Sequence, residues 1–483
     1  MLYRGVGLVV GAAVVFGAAV IWFAVSLDST TASPSIGRGI FGVWTFLYAL
    51  ETPAPHVLVA AIALAVFFAA GISLLEWRVT NASRRSSNQL RAPLAPKIVM
   101  SQTRDVYAGP VAFTVLIPAY NEEASLSATL TSLLSQSHRP ERVIVVADNC
   151  TDNTAAIARS YGLEVFETQD NSQKKAGALN QVLAVILPDL GDNDIVMVLD
   201  ADTTLDDGFL ESGVARFESD RALMSIGGLF YGESGAGLLG QMQRNEYVRY
   251  SSQLKRRRGK VFVLTGTASM FRSRALREVA RNRGGLIPGQ HNDVYDTLAL
   301  TEDNELTIAL KTLGALITSP AECTVVTEVM PTLRSLWVQR LRWQRGALEN
   351  LGVYGVTPPT LRYWAQQLGI GYSVIALTAF LSLILLTLLS LDEWIWFPFW
   401  LGLGIVFMIE RVVSAWRGGW PARLLAVTVL PELFFDMFLN LVYVKGIVDI
   451  TRGRQGTWGP DADAKPTPVL DQPVVLASTT GER

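Results

Sequence analysis

Long apolar runs lie toward both ends of the chain, and a section of mixed hydrophobic and polar positions lies between them. A helix needs about 20 mostly apolar residues to cross a bilayer. Five runs approach or exceed that length: Val6 to Leu27, Val57 to Leu75, Leu368 to Leu391, Trp394 to Ile409 and Leu424 to Val448. The pattern predicts two membrane-spanning helices before the middle section and two or three after it.

The first and fifth runs are irregular in different ways. The first follows Arg4, as in a signal peptide, but it lacks a small-residue cleavage site and its apolar core is too long, so we expect a retained helix. The fifth is interrupted by Pro431, Glu432, Asp436 and Lys445, so it is split or re-entrant, or it crosses fully and leaves a basic tail outside. Its acidic side chains either face protein or a polymer path, or pair with other helices.

The middle section alternates short β-branched runs with amphipathic ones, which predicts an α/β fold with a mostly parallel sheet and helices on its faces. The predicted strands are Phe113 to Ile117, Arg142 to Ala147, Leu163 to Glu167 and Ile195 to Leu199. The predicted helices are Ala124 to Ser135, Thr154 to Tyr161 and Ala176 to Ile186. Ligands of such sheets bind at the carboxyl ends of the strands.

A further amphipathic helix is predicted from Leu333 to Leu351, directly before the third apolar run. Its apolar stripe consists of Leu333, Leu336, Trp337, Leu341, Leu348 and Leu351. Gln339, Arg342 and Trp343 project together on the opposite face. An arginine matches phosphate oxygens and an indole stacks on a sugar ring, so this face suits a sugar diphosphate. The alternative is a solvated, arginine-rich interfacial helix with an anchoring tryptophan.

Charge and cysteine content narrow the setting. The second apolar run is followed by Arg78, Arg84, Arg85, Arg91, Lys97 and Arg104, which predicts that this side is cytoplasmic. Cys150 and Cys323 are the two cysteines of the chain, which is typical of a reducing compartment. The net charge of −2 and the lack of a basic reading motif exclude a nucleic-acid partner.

These observations predict the following organisation: two transmembrane helices (1–77), a polar linker (78–110), a catalytic α/β domain (111–331), interfacial amphipathic helices (332–360), C-terminal transmembrane helices (361–448) and a largely disordered tail (449–483). We therefore expect a multi-pass protein of the cell membrane, in contact with lipid, whose catalytic domain is cytoplasmic.

Acidic side chains follow two of the predicted strands. Asp148 comes after the second, and Asp200 and Asp202 come after the strand that ends at Leu199. Two carboxylates spaced by one residue can hold Mg²⁺ or Mn²⁺ through oxygen ligands, and the cation can then bridge them to a diphosphate. The alternatives are a turn and a helix cap for Asp148 and Asp152, and a strand-end Asp-x-Asp without a metal.

Three further positions complete the candidate chemistry. Lys175 opens a predicted helix and, with Arg342, could supply fixed positive charge. Asp303, after Thr301 and Glu302, could accept a proton from an attacking hydroxyl. The alternatives are a surface lysine and a capping sequence in which Thr301 is the cap.

Asp148, Asp200-Ala201-Asp202, Thr301-Glu302-Asp303 and Gln339-x-x-Arg342-Trp343, in this order, resemble the membrane-embedded family 2 glycosyltransferases, which include cellulose, hyaluronan, chitin and poly-N-acetylglucosamine synthases. The resemblance spans about Thr114 to Trp343. It implies a GT-A fold, a UDP-sugar donor, a divalent cation and inversion at the anomeric carbon.

The resemblance also implies roles for individual residues. Tyr120 and Glu122 line the uridine pocket, and Asp148 holds the uracil. Lys175, Asp200, Gln339 and Arg342 lie at the donor phosphates, Asp202 binds the metal with Asp200, and Trp343 stacks on the acceptor. Asp303 is the general base, with Glu302 beside it in the same motif.

The chain departs from the family pattern at two places. Ala147-Asp148-Asn149-Cys150 stands where an acidic pair followed by Gly-Ser is frequent, which puts the nucleobase contacts in doubt. Arg454-Gln455-Gly456-Thr457-Trp458 has the composition, but not the order, of a gate found in hyaluronan-type enzymes. The strand-like Val261 to Thr265, ending in Gly266, falls where such enzymes have a loop near the acceptor.

The leading hypothesis is a processive, inverting synthase that extends a β-linked polysaccharide and exports it, with UDP-N-acetylglucosamine or UDP-glucose as donor. The second is a non-processive transferase that glycosylates a membrane lipid such as a ceramide, a diacylglycerol or a polyprenyl phosphate. The third is a transporter or sensor with an inactive transferase-like domain.

Overall fold

The computed structural model describes residues 36–40, 44–48, 55–104, 111–256, 259, 261–389, 394–396, 398–454 and 456. The strands are β1 (Ile36–Ile40), β2 (Trp44–Tyr48), β3 (Phe113–Ala119), β4 (Arg142–Ala147), β5 (Glu164–Glu167), β6 (Ile195–Leu199), β7 (Thr203–Leu205), β8 (Leu223–Gly227), β9 (Leu229–Gly232), β10 (Ala268–Arg272), β11 (Leu316–Thr318), β12 (Thr324–Thr327) and β13 (Trp394–Trp396).

The helices are α1 (Pro55–Arg85), α2 (Pro96–Gln102), α3 (Leu126–Leu134), α4 (Thr154–Ser160), α5 (Lys174–Ile186), α6 (Phe209–Ser219), α7 (Gly237–Arg256), α8 (Ser273–Asn282), α9 (Glu302–Thr312), α10 (Leu333–Tyr354), α11 (Leu361–Leu389), α12 (Pro398–Ser414), α13 (Gly419–Thr428) and α14 (Leu430–Thr451).

A seven-stranded sheet, in the order β11-β8-β10-β6-β3-β4-β5, forms the centre of the middle section. β5, β4, β3 and β6 run parallel, whereas β10 runs antiparallel to both β6 and β8. The α/β prediction with a mostly parallel sheet is confirmed. Since the parallel strands share one direction, β3, β4 and β6 all deliver their carboxyl ends to the same edge.

Helices cover both faces of this sheet. Every residue of β3 is buried, as expected for a strand with an apolar layer on each side. Leu116 packs on one side with helices α5, α8 and α9, while Val115 and Ile117 pack on the other side with α3 and α6. The alternation of side chains along the strand thus places one core layer on each face.

The predicted linker and one predicted strand differ from the structure. Within 78–110, α1 continues to Arg85 and α2 covers 96–102, and Leu94 and Val99 are buried in the core under α5. Val261 to Thr265 is not a strand: it forms an irregular segment before β10. Val261 and Leu264 nevertheless pack into the apolar core.

The apolar runs of the described residues are largely helical. Val57 to Leu75 lies within α1, and Leu368 to Leu391 lies within α11 up to Leu389. Trp394 to Ile409 is not one continuous helix, because Trp394–Trp396 pairs with β2 and Pro398 opens α12. The first run, Val6 to Leu27, lies outside the described residues.

The fifth apolar run is broken, as one of the alternatives predicted. Val429 adopts a φ of +56°, and Pro431 lies in the first turn of α14, where a missing N–H does no harm. Across the described residues, no single helix has both the length and the apolarity of a membrane span; Trp416–Thr428 and Leu430–Thr451, bent by 86°, meet that criterion as a pair.

Helix α10 joins the α/β domain to the apolar helices. Thr332 and Ser335 form a capping box at its start, so the helix begins where the sequence pattern predicted. Leu348 and Leu351 are buried, and Leu348 packs against Tyr443 of α14, whereas Leu333 at the end of the stripe is exposed. Most of the apolar stripe is therefore covered by protein.

Candidate active site

One cleft of about 580 Å³ lies at the carboxyl ends of β3, β4 and β6 and under α10. It is bordered by every residue that the sequence analysis proposed for the site: Tyr120, Glu122, Asp148, Lys175, Asp200, Asp202, Glu302, Asp303, Gln339, Arg342 and Trp343. These residues come from segments up to 223 positions apart (120 to 343). The fold therefore brings the predicted set together, although the role of each residue stays a prediction.

Asp148 is held firmly at the end of β4. Its Oδ1 accepts hydrogen bonds from Thr168 Oγ1 (2.9 Å), Asn171 Nδ2 (2.8 Å) and Asn149 Nδ2 (3.0 Å). Asn149 adopts a φ of +49°, a left-handed conformation that asparagine tolerates and that turns the chain sharply after the strand. A buried carboxylate fixed through one oxygen suits an acceptor for a nucleobase N–H.

Asp152 has the structural role that the alternative reading assigned to it. Its Oδ1 accepts from the backbone N–H of Thr154 (3.0 Å) and from Thr154 Oγ1 (2.6 Å), and its Oδ2 accepts from the N–H of Glu123 (3.0 Å). These bonds fasten the start of α4 to the loop after β3. Asp152, one residue before the capping position Asn153, therefore holds the first helical N–H group of α4 and does not border the cleft.

Lys175, in the first turn of α5, sits among carboxylates. Its Nζ donates to Asp200 Oδ1 and lies 3.5 Å from Glu302 Oε1. Burial alone would lower the pKa of Lys175, but the charges of Asp200 and Glu302 outweigh it and raise that pKa above its usual range. Burial raises the pKa of Asp200 to about 6 against the opposing effect of Lys175. The lysine therefore remains charged.

Asp202 lies two residues beyond Asp200, at the turn into β7. Its Oδ1 accepts from Thr203 Oγ1 (3.0 Å), and burial raises its pKa, with a further contribution from Glu122. Among the residues that the structure describes, no three histidine, cysteine or acidic side chains converge to hold a metal ion. Asp200 and Asp202 could supply only part of a coordination shell, so phosphate oxygens and water would have to complete it.

Asp303 is positioned by two backbone N–H groups. Its Oδ2 accepts from Gly266 (3.2 Å) and its Oδ1 from Asn304 (2.7 Å). Burial raises the pKa of Asp303 to about 6, and the neighbouring charge of Glu302 adds to that effect. A carboxylate with this pKa is ionised at neutral pH and is a better proton acceptor than an ordinary aspartate.

The expectation that Thr301 is the cap residue of α9 is correct for its position but not for its side chain. Thr301 occupies the capping position, but its side chain makes no capping hydrogen bond. Instead, Asn350 Nδ2 of α10 donates to Thr301 Oγ1 (3.2 Å) and to its carbonyl oxygen (3.3 Å). The segment that carries Asp303 is thus tied to the helix that carries Arg342 and Trp343.

Sequence reasoning missed several residues of the cleft wall. Helix α7 contributes Glu246, Tyr247 and Tyr250, and α10 contributes Arg340 between two proposed site residues. Arg340 Nη2 donates to Glu246 Oε2 (2.8 Å), and its guanidinium carbon lies 4.2 Å from the ring centroid of Trp343. The position of Arg340 inside Gln339-x-x-Arg342-Trp343 could have indicated it from the sequence, whereas no motif marked the residues of α7.

A second missed group lies at the far end of the cleft. Lys311 Nζ donates to the carbonyl oxygen of Val261 (2.7 Å) and to the hydroxyl of Tyr363 (2.7 Å). Burial lowers the pKa of Lys311 to about 7. Phe262 and Tyr363 both border the cleft, with ring centroids 4.5 Å apart. This group attaches the irregular segment at 261–267 to α11.

The segment that follows α14 contacts Arg345 of α10 and Leu300. Arg345 Nη2 donates to the carbonyl oxygen of Arg454. Gly456 packs against Leu300, so a side chain at that position would collide with Leu300. Residues 455, 457 and 458 of the gate-like sequence lie outside the described residues.

Comparison with known proteins agrees with this geometry. The family described as "Glycosyl transferase family 2" matches residues 114–280. The poly-beta-1,6-N-acetyl-D-glucosamine synthase of Staphylococcus aureus (strain COL) is 28% identical over 246 residues, which are 49% of this chain and 55% of that protein. The enzyme of the same name from Staphylococcus epidermidis (strain ATCC 35984) is 27% identical over 243 residues, which are 49% of this chain and 54% of that protein.

Solved structures resemble the chain only distantly. A mannosyltransferase from Pyrobaculum calidifontis, in complex with GDP-Man and Mn²⁺, has a TM-score of 0.47 at 17% identity and covers 81% of this chain and 97% of its own. TarS of S. aureus has a TM-score of 0.34 at 18% identity and covers 55% of this chain and 43% of its own. Neither likeness is close enough to indicate a substrate.

The match over residues 114–280, together with the mostly parallel sheet, supports a glycosyltransferase domain of family 2 with a GT-A fold. Within that family, the chain is similar to poly-N-acetylglucosamine synthases. The chain spans about half the length of the curated relatives it matches.

Proposed function

We propose that the protein transfers N-acetylglucosamine, or a related hexose, from a UDP-sugar to the growing end of a β-linked polysaccharide. The observation that carries the proposal is the single cleft in which the acidic, basic and aromatic residues meet. The similarity to poly-β-1,6-N-acetylglucosamine synthases favours UDP-N-acetylglucosamine over UDP-glucose as the donor.

The donor would lie across the sheet edge. Asp148 would accept from the uracil, with Tyr120 and Glu122 beside the nucleoside. Lys175, Gln339 and Arg342 would hold the diphosphate, since fixed cations at a phosphate stabilise the charge that develops as UDP leaves. Asp202 and Asp200 would hold Mg²⁺ or Mn²⁺, which would supply further positive charge to the departing diphosphate.

The acceptor would approach from the side of Trp343 and Asp303. Asp303 would take the proton of the attacking hydroxyl as that oxygen bonds to the anomeric carbon, while the bond from that carbon to the UDP oxygen breaks. A single displacement of this kind inverts the anomeric carbon and needs one base and no covalent intermediate. The backbone bonds from Gly266 and Asn304 would keep Asp303 aimed at the acceptor.

Processive extension and export at the cytoplasmic face of the cell membrane complete the proposal. They are supported by the apolar helices that flank the domain and by the continuation of the cleft between them. Tyr363 and Gln367 of α11 border that end of the cleft, and such side chains suit a sugar chain.

A second function, the glycosylation of a membrane lipid, is favoured by a different observation. Ile370 of α11 and Leu439 of α14 also border the cleft, and apolar side chains suit an acyl or prenyl chain. The two proposals differ in the product: a polymer in one case and a singly glycosylated lipid in the other.

The test is a product analysis with purified protein, radiolabelled UDP-N-acetylglucosamine and either Mg²⁺ or Mn²⁺. We expect UDP release and a labelled product that remains in the aqueous or insoluble phase after extraction with organic solvent. Label in the solvent phase would favour the lipid acceptor instead. A chelator should stop UDP release and added cation should restore it; release in the chelator's presence would contradict the metal requirement.

A further inference from the structure

The indole of Trp343 lies against the guanidinium of Arg340, a residue to which the proposed function assigns no role. Arg340 precedes Trp343 by three positions on α10, so both side chains lie on neighbouring parts of the helix surface. The guanidinium carbon of Arg340 lies 4.2 Å from the ring centroid of Trp343 and 5.5 Å from that of Tyr247. A planar cation thus lies against the rings of two aromatic residues from different helices.

Besides the two aromatic rings, an ion pair also holds the side chain of Arg340 in place. Its Nη2 donates to Glu246 Oε2 at 2.8 Å, and Glu246 and Tyr247 are adjacent on α7. The side chain of Arg340 is 3% exposed, while that of Glu246 is 34% exposed. The guanidinium is therefore held by two residues of α7, and it in turn holds the indole.

Stability does not explain this arrangement well. A buried ion pair adds little stability over apolar side chains of similar shape. In addition, Arg340 Nε is buried and has no hydrogen-bond partner in the part of the chain that the structure describes. A buried arginine with an unsatisfied Nε is better explained by a function that requires its planar, charged guanidinium group.

We propose that Arg340 is a positioning residue for the acceptor: it stacks on one face of Trp343 so that the other face is presented to the acceptor sugar. This inference rests on the proposed function, in which Trp343 binds the acceptor. Arg340 itself takes no part in donor binding or proton transfer. Its role is to set the affinity of the site for the acceptor, which the acceptor KM reports.

The test separates transfer from donor hydrolysis. The donor is UDP-N-acetylglucosamine, and the acceptor is an oligosaccharide of β-1,6-linked N-acetylglucosamine. Arg340→Lys keeps the charge and loses the plane that stacks. We expect the acceptor KM to rise about tenfold, as the loss of the planar guanidinium that stacks on the indole allows. The donor KM and the rate of UDP release without acceptor should stay within about twofold of wild type.

A double-mutant cycle with Trp343→Ala tests whether Arg340 acts through the indole. We expect the Arg340→Lys/Trp343→Ala variant to have the acceptor KM of Trp343→Ala alone, because the stack is already lost. Arg277→Lys is the matched control: Arg277 is largely buried, pairs with Asp192 at 2.7 Å and lies away from the cleft. It should leave both KM values unchanged.

Three outcomes would overturn the inference: an acceptor KM unchanged in Arg340→Lys, equal losses of transfer and hydrolysis, or additive effects in the double variant. If Arg340→Lys does not fold, Glu246→Gln tests the same stack from the partner side and should raise the acceptor KM in the same direction. If wild-type protein hydrolyses the donor but does not elongate the oligosaccharide, the proposed polysaccharide function fails instead.

Discussion

The carboxylates of the cleft and Glu432, which lies between the apolar helices, are compensated very differently. In the cleft, Asp200 and Glu302 share the amine of Lys175, and Asp303 lies next to Glu302. Between the helices, Glu432 alone receives Arg249 (2.7 Å), Arg411 (3.6 Å) and the amide of Asn245 (2.8 Å). One lysine thus pairs with two carboxylates in the cleft, whereas two arginines pair with Glu432.

This difference distinguishes a candidate catalytic cleft from a set of ion pairs that connects helices. Burial raises the pKa values of Asp200 and Asp303, and the charge of Lys175 opposes that effect only in part. A donor diphosphate would add further negative charge there, which is a physical argument for a divalent cation beside Asp202. Glu432 and Asp436 instead pair with other helices, so the structural alternative foreseen for them holds.

The largest effect is expected from Asp303→Asn. The amide keeps the shape but can accept only one of the two backbone N–H bonds, and it cannot accept a proton from the acceptor, so kcat should fall by about 1,000-fold or more. Stability at pH 8 should stay close to that of wild type, because the removal of a carboxylate from the cleft offsets the lost hydrogen bond. UDP release and thermal unfolding measure the two quantities.

Asp152→Asn is the matched control for Asp303→Asn, since Asp152 lies at the same sheet edge but does not border the cleft and joins the start of α4 to the loop after β3. It should keep its activity and lose some stability. Full activity in Asp303→Asn would remove Asp303 from its proposed role and with it the distinction between the two carboxylate groups.

The next largest effect is expected on stability, from Glu432→Gln. Removing the charge leaves Arg249 and Arg411 without their shared partner, and breaking a buried ion pair costs about 3 kcal/mol or more. Activity per folded molecule should remain near that of wild type, because Glu432 does not border the cleft. Denaturant unfolding combined with active-site titration tests this.

Asp436→Asn calibrates that experiment. Asp436 pairs with Arg411 alone among the described residues, and its side chain is 30% exposed, so the loss should be smaller. A loss of activity without a loss of stability in Glu432→Gln would contradict this prediction. It would show that a substitution at Glu432 alters the cleft through α7.

The sheet and its acidic edge could be predicted because their signals are local. β-branched runs at regular spacing predicted β3, β4 and β6 to within two residues, and parallel strands must deliver their ends to one edge. Asp148, Asp202 and Asp303 follow from that topology together with the order of the motifs.

The walls of the cleft could not be predicted, since they depend on pairing across long separations. Arg340 and Glu246 are 94 positions apart, and nothing in the composition of α7 marks it as a partner of α10. The same limit explains Val261 to Thr265 and Trp394 to Trp396. A short apolar run fits a strand, a loop or a helix equally well, and tertiary packing chooses among them.

The smallest effect concerns pH, and it would sharpen the comparison most directly. Burial and Glu302 raise the pKa of Asp303 to about 6, so the ionised base should be lost as the pH falls through that value. We expect kcat/KM to be level above about pH 7 and to fall by about tenfold per unit or more well below pH 6, since the pKa of Asp200 is also about 6. A pH–rate profile with saturating cation measures this.

Stability should respond to the same proton in the opposite direction. A carboxyl whose folded pKa exceeds its unfolded value, about 4, binds more protons in the folded state between the two values. Its contribution to stability is therefore greatest below about pH 4 and is lost as the pH rises through 6. The unfolding free energy of wild type minus that of Asp303→Asn should accordingly decrease from pH 5 to pH 7, while activity increases. If both quantities rose together across that range, folding would not raise the pKa of Asp303, and its proposed role as the base would lose this support.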